Sequence, residues 1–158
     1  MAYTAAVITV GNKFASGEEA DSCGPAVAQA LKNTGFEVIY TSAVKKDRDD
    51  ISAELIKCEY ELDADLIVTV GGAGLSRDDV TPDATRDVLD YEVPAIAQAM
   101  LFYGLQKTPH TMMTRAVAGV RNDGLIINLP GREKAALENL LPVADMLKHA
   151  VQMISSRG

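Results

Sequence analysis

The chain has 158 residues, 47% hydrophobic and 23% charged, with a net charge of −7 at pH 7. That length predicts one domain, residues 1–158, large enough to bury a sizeable core. The acidic balance argues against nonspecific contact with nucleic acid or an anionic membrane. No apolar run reaches the length of a membrane span, and with no Trp, five Tyr and three Phe a base-stacking platform is not expected.

Met1-Ala2-Tyr3-Thr4 leads straight into an apolar run without a basic region or cleavage site. The expectation is therefore a cytoplasmic protein without a signal peptide. Ala5–Val10 reads as a buried first strand, followed by a loop over residues 11–17. Asp21 or Ser22 is placed to cap a helix over about Gly24–Asn33, with Val27, Ala30 and Leu31 on one face and Gly35 as its stop. Phe36–Val44 is a second strand. A charged loop, Lys45-Lys46-Asp47-Arg48-Asp49-Asp50, precedes a helix over about Arg48–Leu62, with Ile51, Leu55 and Cys58 on one face. Lys45, Lys46 and Arg48 read there as solvated charges.

Asp65–Val70, apolar and rich in β-branched residues, is a third strand. It opens into Gly71-Gly72-Ala73-Gly74-Leu75-Ser76-Arg77-Asp78-Asp79. Glycine permits positive φ and close approach to the backbone, and successive N–H groups in such a turn make an anion-binding concavity. Arg77 adds a cation, and Asp78 and Asp79 add carboxylates. Thr81-Pro82-Asp83 starts a short helix, with Thr81 as the cap and Pro82 at the first helical position. Asp83 there answers the helix dipole. This order of glycines, cation, carboxylates and helix start suits a phosphorylated ligand held with a divalent metal.

A longer helix over Pro94–Leu105 comes next. Met112–Val120 and Leu125–Leu129 then form a strand pair joined through Arg121-Asn122-Asp123-Gly124, since Asp-Gly is a strong hairpin signal. Pro130-Gly131-Arg132-Glu133-Lys134 is a second glycine turn. A final helix spans about Glu133–Ile154, with a break near Pro142. Cys23 and Cys58 lack metal spacing and read as small buried residues. His110 and His149 are isolated, so neither a zinc site nor a Ser-His-Asp triad is supported. The fold class is α/β, a three-layer α/β/α sandwich on a largely parallel sheet. Ligands of such sheets bind outside the carboxyl ends of the strands, where loops 11–17, 71–79 and 130–134 all fall.

Residues 69–85 resemble the signature of the molybdopterin adenylyltransferase family (MoaB/MogA type), which includes the gephyrin G domain. Thr114–Arg121 and Asn128-Leu129-Pro130-Gly131-x-x-Lys134 resemble it too. The resemblance implies an oligomer built on trimers, either homotrimer or homohexamer. It implies transfer of AMP from Mg-ATP to the terminal phosphate of molybdopterin, with release of pyrophosphate and hand-over to a molybdenum-insertion partner. It assigns Asp79 to metal or nucleotide handling. Gly71, Gly72 and Gly74 would cradle phosphate, with Ser76 as an added donor. Asn128, Pro130, Gly131 and Lys134 would line the nucleotide or pterin cleft. Arg115 either serves that site or pairs with a carboxylate at the trimer interface.

The chain departs from the family pattern in all three loops. The first acid of the turn after strand two falls on Lys46, leaving Asp47 as the substitute catalytic acid. A lysine there inverts the local charge and disfavours metal. Asn12-Lys13 stands where Asp-Arg is common, Ala73 replaces a hydroxyl residue, and Arg132-Glu133 replaces a small residue and proline. Two readings follow: an enzyme working with Asp47 and Asp79, or a catalytically silent paralogue that binds molybdopterin or serves as an assembly partner.

Overall fold

Continuous apolar strands that must be covered on both faces dictate the architecture. The computed structural model describes residues 2–155. Its sheet has six strands: β1 (Thr4–Val10), β2 (Glu37–Val44), β3 (Leu66–Val70), β4 (Tyr91–Glu92), β5 (Ala118–Arg121) and β6 (Gly124–Leu129). Their order is β2-β1-β3-β6-β5-β4. β2, β1, β3 and β6 run parallel, and β5 and β4 pair antiparallel at one end. The three central strands are buried almost throughout. β2 alternates between exposed and partly covered residues, as a strand at the sheet's edge does.

Alternate side chains feed two cores. Val7, Val68 and Ile127 face one layer made by α2 (Cys23–Thr34), α5 (Pro94–Leu105), α6 (Glu133–Leu140) and α7 (Ala144–Ile154), through Leu31, Met100, Leu140 and Leu147. Ile8, Ile67 and Ile126 face the other, made by α3 (Arg48–Ile56) and α4 (Thr81–Val88), through Ile51, Leu55, Ala84 and Val88. The structure is thus the three-layer α/β/α sandwich expected.

Several local expectations change. Residues 11–17 hold a short helix, α1 (Asn12–Ser16), ended by Gly17 at φ 81°. The helix from Arg48 ends at Ile56 and continues as one π-helical turn, Lys57–Glu61. The Asp21 carboxylate, rather than Ser22, accepts the Gly24 N–H at 3.0 Å and the Thr9 hydroxyl at 2.6 Å, tying the α2 start to β1. Thr81 is not the cap of α4. It lies inside the first turn, and its hydroxyl donates to the Gly71 carbonyl at 3.0 Å.

The strand expected over Met112–Val120 is confined to Ala118–Arg121, because the preceding residues bend over the glycine loop: Arg115 N–H donates to Ala73 O at 2.8 Å. Tyr91–Glu92, unforeseen, extends the sheet edge. The final helix breaks where expected, through a 3₁₀ turn at Leu141–Val143.

Both cysteines are buried. Burial, then the nearby Asp21 and Glu133 carboxylates, pushes the Cys23 thiol up to about 11. Burial, then Glu54, pushes Cys58 up to about 12. Both thiols are therefore neutral in the folded chain at pH 8. The expected outcome is slow reaction with an aromatic disulfide reagent at that pH and prompt reaction in urea. Because the folded values are raised, the stability associated with these thiols is fully present below the ordinary thiol range and declines as pH rises through about 9. Urea melts across pH 7–10 check the sign. Ile67→Ala, at a fully buried position, is expected to cost about 3 kcal/mol by the same melts.

Candidate functional site

The carboxyl ends of β1, β3 and β6 meet in a backbone-to-backbone contact. Gly71 N–H donates to Leu129 O at 3.0 Å. A Cβ on Gly71 would stand 2.6 Å from Val10 O, and its φ of +100° independently favours glycine. From the other side, a Cβ on Gly131 would come within 3.3 Å of the Gly71 Cα. The loop after β3 and the turn after β6 are therefore pressed together at the point where strand order reverses about β1 and β3.

Above this contact lies a cleft of about 820 Å³. Gly72, Ala73, Gly74 and Asp79 form one wall, and Pro130, Gly131, Arg132 and Lys134 another. Lys107, His110, Thr111, Met113 and Thr114 descend from the segment after α5, while Glu138 and Asn139 belong to α6. Lys46 enters from the loop after β2. The lining carries Lys46, Lys107, Arg132 and Lys134 against Asp79 and Glu138, so a chain that is acidic as a whole is locally basic here. That field attracts an anion.

Asp79 is held on both oxygens, with a side-chain exposure of 13%. Its Oδ2 accepts the Ser76 N–H at 3.1 Å, and its Oδ1 receives the Lys46 ammonium at 3.1 Å. A Cβ on Gly74 would sit 2.9 Å from Oδ2, so a side chain there would press on the Asp79 carboxylate. Lys46 is itself held at its backbone, where its N–H donates to the Asn12 side-chain oxygen at 2.9 Å. Asp78, largely exposed, stands 3.8 Å from the same ammonium. Behind the wall, Arg115 grips Asp83 through two hydrogen bonds of 2.8 and 3.2 Å and donates to Asp79 O at 3.1 Å.

Six of the residues anticipated from the sequence line the cleft together: Gly72, Gly74, Asp79, Pro130, Gly131 and Lys134. Gly71 lies beneath it as the hinge of the strand ends. Ser76 is exposed and reaches the site through its N–H on Asp79. Asn128 is in the core, 1% exposed, donating to Thr69 and Thr85 hydroxyls at 2.9 and 3.0 Å and accepting the Val117 N–H at 3.1 Å. It shapes the cleft from below rather than lining it.

Asp47 stands outside the lining, as the N-cap of α3, accepting the Asp50 N–H at 2.9 Å. Its side chain stabilises a helix start, as the Asp-x-x-Asp spacing allows. The charged loop is not freely solvated either. Arg48 makes a two-pronged bond to Asp87 on α4 at 2.6 and 2.7 Å, and the guanidinium holds the Asp87 carboxyl below its ordinary range. Lys107, His110 and Arg132 were not anticipated as lining residues. Lys107 and His110 lie far along the chain from the glycine loop, and the bent segment after α5 brings them over it; Arg132 follows directly on Gly131.

The donor set does not fit a divalent metal held by the protein. Among the described residues no three His, Cys, Asp or Glu side chains cluster to hold one. Asp79, the carboxylate expected to do so, already has an N–H on one oxygen and an ammonium on the other.

A doubly covered parallel sheet with a glycine turn and a basic cleft at its switch point makes this an α/β protein whose site is suited to an anionic ligand. Residues 6–149 match the family described as a probable molybdopterin binding domain, and the chain belongs to that family. It is 34% identical over 160 residues to gephyrin of Dictyostelium discoideum, covering 96% of this chain but only 22% of that protein. It is 33% identical over 150 residues to the molybdopterin adenylyltransferase of Helicobacter pylori, covering 94% of this chain and 85% of that one. The crystal structure of the molybdopterin biosynthesis enzyme MoaB from Thermus thermophilus superimposes with a TM-score of 0.91 at 39% identity, covering 97% of this chain and 96% of the other.

Asn128→Ala takes a donor from the buried Thr69 and Thr85 hydroxyls, the latter still bonded to Thr81 O, and leaves the Val117 N–H without its side-chain acceptor. The expected cost is about 2 kcal/mol by urea unfolding, because buried polar groups then lose a bond that water cannot replace.

Proposed function

We propose that this chain acts in molybdenum cofactor biosynthesis as a molybdopterin adenylyltransferase, working in the cytoplasm as a single-domain protein. The observation that carries this reading is the basic cleft over the Gly71–Gly74 turn, in a chain that matches the molybdopterin-binding family along residues 6–149. Two anionic substrates, ATP and molybdopterin, would meet there. An oxygen of the pterin's terminal phosphate attacks the α-phosphorus of ATP. A new P–O–P bond forms, the bond from the α-phosphorus to the bridging oxygen breaks, and pyrophosphate leaves with the electron pair.

The attacking phosphate is mostly ionised at neutral pH, so the reaction needs no general base. What the protein must supply is position and charge compensation. Backbone N–H groups of the glycine turn, together with Lys46, Arg132 and Lys134, are the groups suited to that. Asp79 orients this wall. Magnesium enters as part of the Mg-ATP substrate.

The family resemblance implies a homo-oligomer built on trimers, and self-association is supported by α5 and the turn after it, which leave Phe102, Tyr103, Leu105 and Met112 exposed. A molybdenum-insertion protein would take the adenylylated pterin. The ion pair between Lys46 and Asp79 favours a second reading, a paralogue that binds molybdopterin without adenylyl transfer.

Purified protein given Mg-ATP should release pyrophosphate only when molybdopterin is present. Asp79→Asn should lower that rate on the order of 100-fold, the effect of losing one charged orienting group, with little change in melting temperature. Absence of release alongside an active relative would select the binding reading.

A further inference from the structure

The adenylyl-transfer reading leaves open which cation faces the ligand's phosphate at Asp79, and the side chains there answer it. The Lys46 ammonium lies 3.1 Å from Asp79 Oδ1 and 3.8 Å from Asp78 Oδ2, and its side chain remains 27% exposed in the cleft. It is not a swinging surface lysine. Asn12 fixes its backbone N–H, the Asp47 cap fixes the next residue at the start of α3, and Arg48 ties the same loop to Asp87. On the other side, the Ser76 N–H holds Asp79. Two anchored groups thus place one positive charge at the glycine wall.

An ammonium at 3.1 Å from a carboxylate oxygen occupies space that a metal coordinated by that oxygen would need. Its charge also repels a second cation, while its remaining protons can still bond a phosphate oxygen.

We propose that Lys46 is the resident cation of the cleft: its ammonium, positioned by Asp79, stands where a protein-bound divalent metal would sit and meets the ligand's phosphate directly. Asp79 is then a positioning residue for Lys46 rather than a metal ligand. This rests on the reading of the cleft as a nucleotide and pterin phosphate site. It adds that the protein's own grip on the phosphate is independent of metal.

Two measurements on the full chain test it. The first titrates Mn²⁺, alone and without nucleotide, and follows binding by electron paramagnetic resonance. The unsubstituted protein should show no site at Asp79, so that Asp79→Asn leaves its titration unchanged. Lys46→Asp should bind Mn²⁺ at least tenfold more tightly, and adding Asp79→Asn to it should remove the gain. Mn²⁺ binding by the unsubstituted protein that Asp79→Asn abolishes would overturn the proposal, as would no gain in Lys46→Asp.

The second measures ATP binding by calorimetry, in EDTA and in Mg²⁺. Affinity should differ less than threefold between the two media, and Lys46→Met should lose at least tenfold in EDTA. ATP binding that requires Mg²⁺ would overturn the proposal. Failure to bind ATP in either medium would instead remove the nucleotide reading, leaving the Mn²⁺ titration to decide the cation's identity. Circular dichroism confirms that each variant folds, which the partly exposed positions of Lys46 and Asp79 lead one to expect.

Discussion

The contact of Gly71 with the ends of its two neighbouring strands is the constraint on which the site depends. There a glycine backbone, at a φ closed to most side chains, fits between Val10 O and the Gly131 Cα while its N–H bonds Leu129 O. Any side chain would separate β1, β3 and β6 at their carboxyl ends. With that separation, the glycine turn and the Pro130–Gly131 turn would no longer face each other across one cleft. The Thr81 hydroxyl bond to Gly71 O and the Thr81 N–H bond to Gly72 O extend the constraint into α4. Sheet, loop and helix are therefore locked largely by main-chain contacts, with Thr81 joining the helix to the loop, and the cations of the cleft are mounted on that frame.

Electrostatics then divides the molecule. The net charge of −7 would repel nucleotides and phosphorylated pterins from most of the surface. Where loops from distant parts of the chain gather Lys46, Lys107, Arg132 and Lys134, the local sign reverses. Arg115 is a cation of a different kind. It is spent on Asp83 and on the Asp79 carbonyl, so it braces the wall behind the cleft instead of presenting charge to it. That arrangement lets the visible cations turn toward a ligand while the loop carrying Asp79 stays in place.

The layers were legible in the sequence because their causes are local. Unbroken apolar runs of five or six residues mark buried parallel strands, and glycine-rich strand ends mark the switch point. The helix over Pro94–Leu105 begins and ends where proline and the following polar residues put it. The unreadable parts are those decided by partners far along the chain. Asn128 sits in an apolar strand motif and looks like a cleft residue, yet its amide is consumed by Thr69 and Thr85, 59 and 43 positions away. The residues before β5 have strand-like composition, but Arg115 and Thr114 bond Ala73 and draw them out of the sheet. Asp47 was the reverse case. Its capping role was readable from its place before Arg48, but a chemical role for the same carboxylate was the more conspicuous expectation.

Lys46 and Asn12 explain each other once the loops are seen together. Each departs, in its own loop, from the pattern that the resemblance implies. In the folded chain the Asn12 side-chain oxygen accepts the Lys46 N–H at 2.9 Å, and the Lys46 ammonium reaches Asp79. A neutral amide can hold that backbone without adding a negative charge beside the lysine. The two residues are thus parts of one arrangement that positions a single cation beside Asp79. That arrangement sets a lysine between the glycine turn and the other basic residues of the cleft.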